Sequence, residues 1–237
     1  MASGEEPVSI IALIPARSGS KGIPGKNFRP LAGGPSCFER AVLCALAVPC
    51  DQVIVSTDAK VTTSLPCMML ERPPELAEDD TPMIDVVKHA MACVPGSSED
   101  IWVLLQPTQP LRYPSQVQTA IQRLREIQAD SVVSVVELPK AHHAHMQLEI
   151  RREALFLAAP ASEGYWYLWD LPPRRQNLEP TYLRDGTVYA FWRKTVDECG
   201  SLYGRHVRPL IIPPDETCEL DTPADWDALE RRLASLS

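Results

Sequence analysis

The sequence lacks the marks of membrane, secreted and nucleic-acid-binding proteins. No stretch approaches the roughly 18 consecutive apolar residues that cross a membrane. The first residues, MASGEEP, have neither the basic start nor the apolar run of a signal peptide. Lysine and arginine (23) are outnumbered by aspartate and glutamate (31), so the net charge is -8 and a basic nucleic-acid footprint is not expected. We therefore expect a cytoplasmic protein without membrane or nucleic-acid partners, although a few local cations can still bind an anionic ligand.

Cysteine motifs are missing as well. The seven cysteines are odd in number and include no CxxC pair, so neither a disulfide framework nor a cysteine-bound zinc site is expected. Reduced thiols in a cytosolic protein are the simplest interpretation.

Short apolar runs alternate with amphipathic segments along the 237 residues, 45% of which are apolar. This length and composition fit a single domain over residues 1–237. The runs show little in–out alternation, as in strands that are covered on both faces: residues 9–15, 52–56, 101–106 and 131–136. Helices are expected at residues 36–48 and 82–93 and along the stripe Val117, Ile121, Leu124 and Ile127. The alternation predicts an α/β fold with a parallel-centred sheet and helices on both sides.

Residues 138–186 interrupt this alternation. They are rich in proline, arginine, histidine and aromatic residues, and we interpret them as an extension that carries part of the ligand site, a dimer contact, or both. Regular strands are expected to resume at residues 187–192 and 208–213. A last helix is expected from Thr222, with Pro223 in its first turn and Asp225 three residues after the cap.

Residues 11–33, IALIPARSGSKGIPGKNFRPLAG, carry the strongest functional signal. A buried strand leads into a loop with three glycines, which let main-chain amides approach an anion, and with cations that neutralise it. The cations are Arg17, Lys21, Lys26 and Arg29. The loop matches neither the Walker A motif nor the GxGxxG motif, so an ordinary ATPase or dehydrogenase is not expected. Its place after a strand favours a phosphate site over a basic surface loop.

This loop resembles the N-terminal signature of the N-acylneuraminate cytidylyltransferase family, the CMP-sialic acid synthetases. Further segments match the family in order, so the resemblance covers nearly the whole chain and is weakest at residues 138–173. They are VSTD (55–58), RPPELAEDDTPMIDVVKHA (72–90), LLQPTQPLR (104–112), DSVVSVVE (130–137), RRQNLEPTYLRDGTVYAF (174–191) and ELDTPADW (219–226). The resemblance implies a Rossmann-like three-layer α/β/α nucleotidyltransferase fold with a mixed, mainly parallel sheet and a small dimerisation extension at residues 138–186.

The resemblance implies roles for four loop and strand-end positions on the nucleotide side. Arg17 and Lys26 correspond to catalytic cations on the triphosphate, Lys21 is a further substrate-binding cation, and Asn27 corresponds to a nucleotide contact.

Three more residues fall in the family's cytosine and ribose pocket: Arg72, Thr81 and Gln106. A glutamine can both donate to and accept from a base edge. The alternatives are structural, since Thr81 can cap the helix that follows Pro82, and Gln106 can simply bind the main chain of its loop.

On the sugar side the family's RQ pattern points to Arg175, with the adjacent Arg174 left as a solvated charge or a second contact. The guanidinium of Arg175 suits either a sugar carboxylate or a developing phosphoryl charge. Tyr189 aligns with a family tyrosine near the sugar, and the alternative is an aromatic side chain packed beneath the sheet.

Glu219 and Asp221 lie two residues apart on an extended segment, which places both carboxylates on one face. Such a pair can hold a hydrated Mg²⁺ ion bridged to phosphate. The family more often has two aspartates here, so Glu219 is a departure. The alternative is that Asp221 belongs to the cap before Thr222 and Glu219 is solvated.

Other positions also depart from the family pattern. Gln109 stands in place of a serine, and Asp185 replaces the asparagine of an Asn-Gly turn, which adds a negative charge near an acidic sugar. The spacing of His142, His143 and His145 is poor for zinc, and a role in sugar binding or in the dimer interface is favoured.

The resemblance thus predicts attack by the anomeric hydroxyl of a nine-carbon acidic sugar on the α-phosphorus of CTP, with Mg²⁺ as cofactor and a homodimer as the assembly. The alternatives are legionaminate, pseudaminate, deaminated neuraminate or octulosonate as the sugar, or GTP as the nucleotide. A protein of another class, which binds nucleotide without catalysis, would be expected to have lost the phosphate cations or the metal carboxylates.

Overall fold

The computed structural model describes residues 8–151, 154–158, 175–218 and 220–235. Within these residues one sheet has seven strands, in the spatial order β11-β7-β10-β6-β1-β4-β5. The strands are β1 (Ile10–Pro15), β4 (Gln52–Thr57), β5 (Met68–Glu71), β6 (Ile101–Leu104), β7 (Ser131–Glu137), β10 (Tyr182–Trp192) and β11 (Val207–Ile212). Two small ribbons join β2 (Pro30–Leu31) to β3 (Gly34–Ser36), and β8 (Leu148–Arg151) to β9 (Ala154–Leu157).

The central strands run parallel because helical connections return the chain to the same end of the sheet. β1 pairs in parallel with both β4 and β6, and every residue of β1 is buried. β10 is antiparallel to its neighbours β6 and β7. The prediction of a mixed, mainly parallel sheet is confirmed.

Helices cover both faces of this sheet, as the alternating pattern predicts. The helices are α1 (Cys37–Leu46), α2 (Met83–Cys93), α3 (Pro114–Glu126), α4 (Arg193–Cys199) and α5 (Pro223–Ser235). Helices α1 and α3 pack in one core with Ala12 and Ile14, whereas α2 and α4 pack in the other with Ile11 and Leu13. The side chains of β1 therefore alternate between two apolar layers, which produces the three-layer architecture.

Several boundaries differ from the sequence-based expectations. β10 begins at Tyr182, so the last five residues of the predicted extension 138–186 belong to the central sheet. The register of β10 against β7 shifts between Arg184 and Tyr189, where Gly186 has a φ of 78°. This irregularity hides the strand from a simple period-two pattern. The helical stripe includes Ile127, but this residue lies just beyond α3, at its C-cap, and is 49% exposed.

Helix α5 packs against the glycine-rich loop that follows β1. Its buried Trp226 and Leu229 pack with Ile23 and Leu31 of the N-terminal loop and with Leu220. The predicted capping is confirmed, because Asp225 Oδ2 accepts hydrogen bonds from both the amide and the hydroxyl of Thr222. Among the described residues, no helix is both long and apolar enough to cross a membrane.

Candidate functional site

The site forms where the parallel strands end. The glycine-rich loop follows β1, Asp58 follows β4, and Gln106 follows β6. Because parallel strands end at the same edge of a sheet, three segments that are distant in sequence converge there. The main chain of Gly22 lies so close to Asp221 that a methyl group in place of its hydrogen would overlap the Asp221 carbonyl oxygen. The loop and the C-terminal segment are therefore in direct contact.

Two of the loop cations share one carboxylate. Arg17 Nη1 lies 2.5 Å from Asp79 Oδ1, and Lys21 Nζ lies 2.5 Å from Asp79 Oδ2. The ammonium of Lys21 and the guanidinium of Arg17 hold the pKa of Asp79 below its ordinary value. A pair of cations that converges on one carboxylate can equally converge on phosphate oxygens.

The conformation of the loop is fixed by two further side chains. Asp58 accepts a hydrogen bond from the Ser18 amide at 2.7 Å and another from the Ser18 hydroxyl. Burial opposes ionisation of Asp58, but the hydrogen bonds from Ser18 keep its pKa below the ordinary value. Asn27 is buried and donates from Nδ2 to the Arg17 carbonyl at 2.9 Å, while its Oδ1 has no hydrogen-bond partner within the described residues. An unsatisfied buried acceptor suits a ligand donor.

Arg72 and Thr81 flank this loop on the side of β5. Arg72 is buried and donates from Nε to Ser56 Oγ at 3.1 Å and from Nη2 to the Ser56 carbonyl at 2.8 Å. Burial lowers its pKa to about 10, against the opposing effect of Asp58. Thr81 donates from its hydroxyl to the Glu75 carbonyl, and Pro82 rather than Thr81 occupies the N-cap of α2. The alternative in which Thr81 caps that helix is therefore wrong.

Next to the loop lies a cleft of about 300 Å³. Its walls come from the segment after β6, from β7, from β10 and from the segment before α5. The lining residues are Gln106, Thr108, Gln109, Val136, Leu183, Arg184, Asp185, Gly186, Tyr189, Thr217, Cys218, Leu220 and Asp221. Three predicted site residues thus meet in one cleft, namely Gln106, Tyr189 and Asp221.

The main chain and the side chain of Gln106 have different surroundings. Its carbonyl accepts a hydrogen bond from Arg112 Nη2 at 2.7 Å, while its side-chain oxygen lies against Gly186 on the cleft wall. Among the described residues, the loop thus makes its hydrogen bonds to the main-chain carbonyl of Gln106 and not to its side chain.

Tyr189 is 7% exposed, belongs to the core between the sheet and α2, and also lines the cleft. It packs beneath the sheet as the structural alternative holds, and its role at the sugar stays a prediction. Burial raises the pKa of its phenol above the ordinary value.

Gln109, which departs from the family pattern, holds two walls of the cleft together. Its Nε2 donates to the Asp185 carbonyl, and its Oε1 accepts from the Cys218 amide at 3.2 Å. A serine in its place is too short to reach both partners. Asp185, the other departure, turns its carboxylate toward Thr187, whose amide donates to it at 3.2 Å and whose hydroxyl is a second donor. The charge of Asp185 is therefore partly satisfied within its own turn.

Lys26 connects the loop to the cleft. Its ammonium donates to the Leu220 carbonyl at 2.7 Å and lies 3.4 Å from Asp221 Oδ1. The side chain of Lys26 is only 16% exposed, whereas that of Asp221 is 68% exposed. The cap of α5 uses the amide of Asp221, which donates to Asp225 Oδ2, and leaves the Asp221 carboxylate in the cleft. Asp221 therefore belongs to the cap through its amide, as the structural alternative holds, while its carboxylate lines the cleft.

Comparison with known proteins identifies the group to which this site belongs. The model of the cytidylyltransferase family matches residues 11–203, which is more than half of the chain. The chain belongs to the cytidylyltransferase family. This confirms the resemblance drawn from the sequence motifs, and it makes the protein a nucleotidyltransferase enzyme.

Named relatives of this cytidylyltransferase are similar over most of its length. CMP-N,N'-diacetyllegionaminic acid synthase of Legionella pneumophila is 30% identical, over 96% of this chain and 97% of that protein. N-acylneuraminate cytidylyltransferases of Streptococcus agalactiae and Oncorhynchus mykiss are 29% and 28% identical, over 91% and 94% of this chain. The chain spans about half the length of these last two, 51% and 50%.

Solved structures share the architecture. CMP:2-keto-3-deoxy-manno-octonic acid synthetase in complex with CTP superposes with a TM-score of 0.71 at 19% identity, over 97% of this chain and 100% of that one. 4-Diphosphocytidyl-2C-methyl-D-erythritol synthase from Anaerococcus prevotii gives a TM-score of 0.59 at 15% identity, over 96% of each chain. These similarities confirm the expected nucleotidyltransferase fold.

Some predicted site residues of this cytidylyltransferase lie beyond the structural description. Glu219 and Arg174 are outside the described residues, and Arg175 is described only through its main chain, in the turn Arg175–Asn177. Lys140 Nζ binds the carbonyls of Gln176 and Leu178 and so fixes the position of this turn.

His143 also contributes to the local scaffold. One ring nitrogen contacts the Glu179 carbonyl at 2.9 Å, and the other accepts from the His145 amide at 3.1 Å. Both of its nitrogens are thus engaged with main-chain groups.

Sequence reasoning missed three residues that shape the site: Asp58, Asp79 and Gln109. Asp58 ends the VSTD segment directly after a buried strand, so its position at the carboxyl edge of the sheet was available as a signal. Asp79 lies among three consecutive acidic residues, and no local pattern distinguishes the one that meets the loop cations. Gln109 was noticed as a departure, but its partners lie more than 75 residues away in sequence.

Gly22 gives a prediction about loop packing. Gly22→Ala is expected to lower kcat/KM for CTP by roughly tenfold or more, because the added methyl group forces the loop away from Asp221. Steady-state kinetics with varied CTP measures the effect. Gly19→Ala is the matched control, since nothing lies within 4 Å of a methyl group there. Equal losses for the two variants would show that the contact is unimportant.

A substitution at Asp79 is expected to strengthen, rather than weaken, the interaction with CTP. Asp79→Asn is expected to tighten CTP binding by about twofold to fivefold at low salt, because it releases Arg17 and Lys21 from an exposed ion pair. Calorimetric titration with CTP measures the change, with Asp80→Asn as the control. Weaker binding by Asp79→Asn would mean that Asp79 helps to position the cations rather than compete for them.

Proposed function

We propose that this cytidylyltransferase transfers CMP from CTP to the anomeric hydroxyl of a nonulosonic acid, releasing pyrophosphate. One observation carries the proposal: Lys26 joins a cationic glycine-rich loop to a cleft that contains Gln106, Tyr189 and the exposed carboxylate of Asp221. A triphosphate and a second substrate can thereby meet at one point. The relatives named for CMP-diacetyllegionaminic acid and for N-acylneuraminate support the same class of acceptor.

The reaction requires positioning and charge neutralisation more than covalent chemistry by the protein. The anomeric hydroxyl oxygen of the sugar forms a bond to the α-phosphorus, and its proton passes to solvent water. The bond from the α-phosphorus to the oxygen that bridges the α- and β-phosphorus breaks, and pyrophosphate leaves with that electron pair. Arg17, Lys21 and Lys26 neutralise the charge of the triphosphate. The buried Oδ1 of Asn27 accepts a hydrogen bond from the nucleotide.

The remaining predicted residues divide between base and sugar. We assign Arg72, Thr81 and Gln106 to cytosine and ribose, with Arg72 oriented by its two hydrogen bonds to Ser56. Tyr189 and Arg175 belong to the sugar side, where Tyr189 presents a neutral phenol to the cleft.

Magnesium is the proposed cofactor. Asp221 fits it by chemistry, because a well-exposed carboxylate in the cleft is a hard oxygen ligand. Glu219 is the second proposed ligand. When bound there, the ion would supply further neutralisation of phosphate charge. The proposal also includes a homodimer in the cytoplasm, to which residues 138–186 contribute a dimerisation and sugar-binding extension.

The test is pyrophosphate release in the presence of Mg²⁺ and a panel of acids. The panel contains N,N'-diacetyllegionaminate, N-acetylneuraminate, pseudaminate, deaminated neuraminate and octulosonate, each with CTP and with GTP, and mass spectrometry identifies the nucleotide sugar. We expect release with CTP and at least one nine-carbon acid. Activity with octulosonate alone, or with GTP alone, would correct the substrate. Binding of CTP without any release would indicate a non-catalytic nucleotide-binding protein.

A further inference from the structure

The charged side chains that line the cleft differ in whether a polar or charged neighbour offsets their charge. Among its described lining residues, three are of the charged residue types: Arg184, Asp185 and Asp221. Asp185 accepts two hydrogen bonds from Thr187, and Asp221 faces the ammonium of Lys26. Arg184 is thus the one cation on the described cleft wall.

Arg184 is held in place by a neutral partner. Its Nη1 donates to the hydroxyl of Tyr203, and its guanidinium lies over the Tyr203 ring, 5.5 Å from the ring centre. The Tyr203 ring in turn meets the edge of Tyr189, with 6.5 Å between ring centres. Within the described residues no carboxylate forms an ion pair with Arg184. The aromatic support orients the guanidinium without neutralising its charge.

The backbone explains why Arg184 reaches the cleft. It is the last paired residue of β10 before the register shift, opposite Val135, and pairing resumes at Tyr189. The irregular turn around Gly186 therefore brings Arg184 and Tyr189 to the wall of the same cleft, although they lie five residues apart.

We infer that Arg184 is a substrate-binding residue that pairs with the carboxylate of the acidic sugar. This inference rests on the proposed function and deepens it. A planar guanidinium binds a carboxylate through two parallel hydrogen bonds, and its fixed geometry orients the sugar ring as well as attracting its charge.

The test compares Arg184→Gln with the wild-type enzyme by pyrophosphate release, varying the sugar and CTP separately. We expect the KM for the sugar to rise roughly tenfold to a hundredfold, with the KM for CTP changed less than about twofold. Arg208→Gln is the matched control, because Arg208 is also an exposed arginine on a neighbouring part of the sheet but lies outside the cleft. Arg184→Lys is expected to recover part of the loss, because it restores charge but not the planar fork.

A second measurement separates binding of the carboxylate from a structural role. The wild-type enzyme is expected to prefer the acid strongly over its neutral amide, and Arg184→Gln is expected to lose most of that preference. Equal loss with acid and amide would identify Arg184 as a scaffold residue and overturn the inference, as would an unchanged KM for the sugar. A wild-type enzyme that is inactive with every acid contradicts the proposed function itself, and with it the inference. If the wild-type enzyme is active and Arg184→Gln has the same KM for the sugar, only the inference about Arg184 is contradicted.

Discussion

Lys26→Ala is expected to slow single-turnover transfer of CMP by roughly a hundredfold to a thousandfold, the range found when a preorganised charge-stabilising donor is removed. Lys26 is mostly shielded from solvent, and its ammonium lies where the glycine-rich loop meets the cleft, 2.7 Å from the Leu220 carbonyl. A cation in such a place stabilises developing phosphate charge more than a cation in water does, because the surroundings have a lower dielectric constant. Rapid quenching of enzyme mixed with CTP and sugar measures the rate.

The control separates the position of Lys26 from the loss of any lysine. Lys88→Ala removes an exposed lysine from α2, outside the described cleft, and is expected to leave the rate unchanged. Calorimetric titration with CTP completes the comparison, because a purely electrostatic anchor would weaken binding without slowing the chemical step. Equal single-turnover rates for Lys26→Ala and the wild type would remove Lys26 from the catalytic set.

Asp221→Asn is expected to lower turnover by about a hundredfold or more and to raise the Mg²⁺ concentration needed for half-maximal rate. An amide keeps the size of the side chain but not its charge, and neutral oxygen is a weaker ligand for a hard divalent cation. The fold is expected to persist, because the hydrogen bonds that begin α5 use the Asp221 amide and the Asp225 carboxylate. Initial rates over a range of Mg²⁺ concentrations give the measurement.

Two controls accompany Asp221→Asn. Asp227→Asn removes another exposed carboxylate, from α5, and is expected to leave the Mg²⁺ dependence unaltered. Asp225→Asn is expected to lower thermal stability, because Asp225 accepts three hydrogen bonds at the start of the helix. An unaltered Mg²⁺ dependence in Asp221→Asn would show that the metal, if used, is held elsewhere.

The proposed Arg184 contact changes how an acidic substrate is accommodated. The sequence predicts an unfavourable interaction, because Asp185 places a carboxylate near an acidic sugar. In the structure the Asp185 carboxylate accepts hydrogen bonds from Thr187. Arg184, the preceding residue, supplies a positive charge to the same wall of the cleft. The net field at this wall therefore depends on side-chain direction, which residue identities alone do not specify.

The sequence by itself determined the architecture and the place of the glycine-rich loop within it. The continuous apolar run at residues 52–56 predicts a strand covered on both faces, and the helical spacing of Val117 and Leu124 predicts a helix; they appear as β4 and α3. The glycine-rich loop could also be recognised, because it follows a buried strand and its glycines and cations are adjacent in sequence. These are local signals, set by backbone propensity and by which side chains must be buried.

Only the tertiary structure decided which charged groups meet. Lys26 and Asp221 are 195 residues apart in sequence, and Gln109 contacts partners 76 and 109 residues away. Nothing in the local pattern selects Asp79 as the partner of Arg17 and Lys21, or directs Arg184 into the cleft. Such contacts depend on strand order, on the register shift in β10 and on side-chain rotamers. All of these are settled by packing of the whole chain, so the sequence predicted a nucleotide loop whereas the fold completed the site around it.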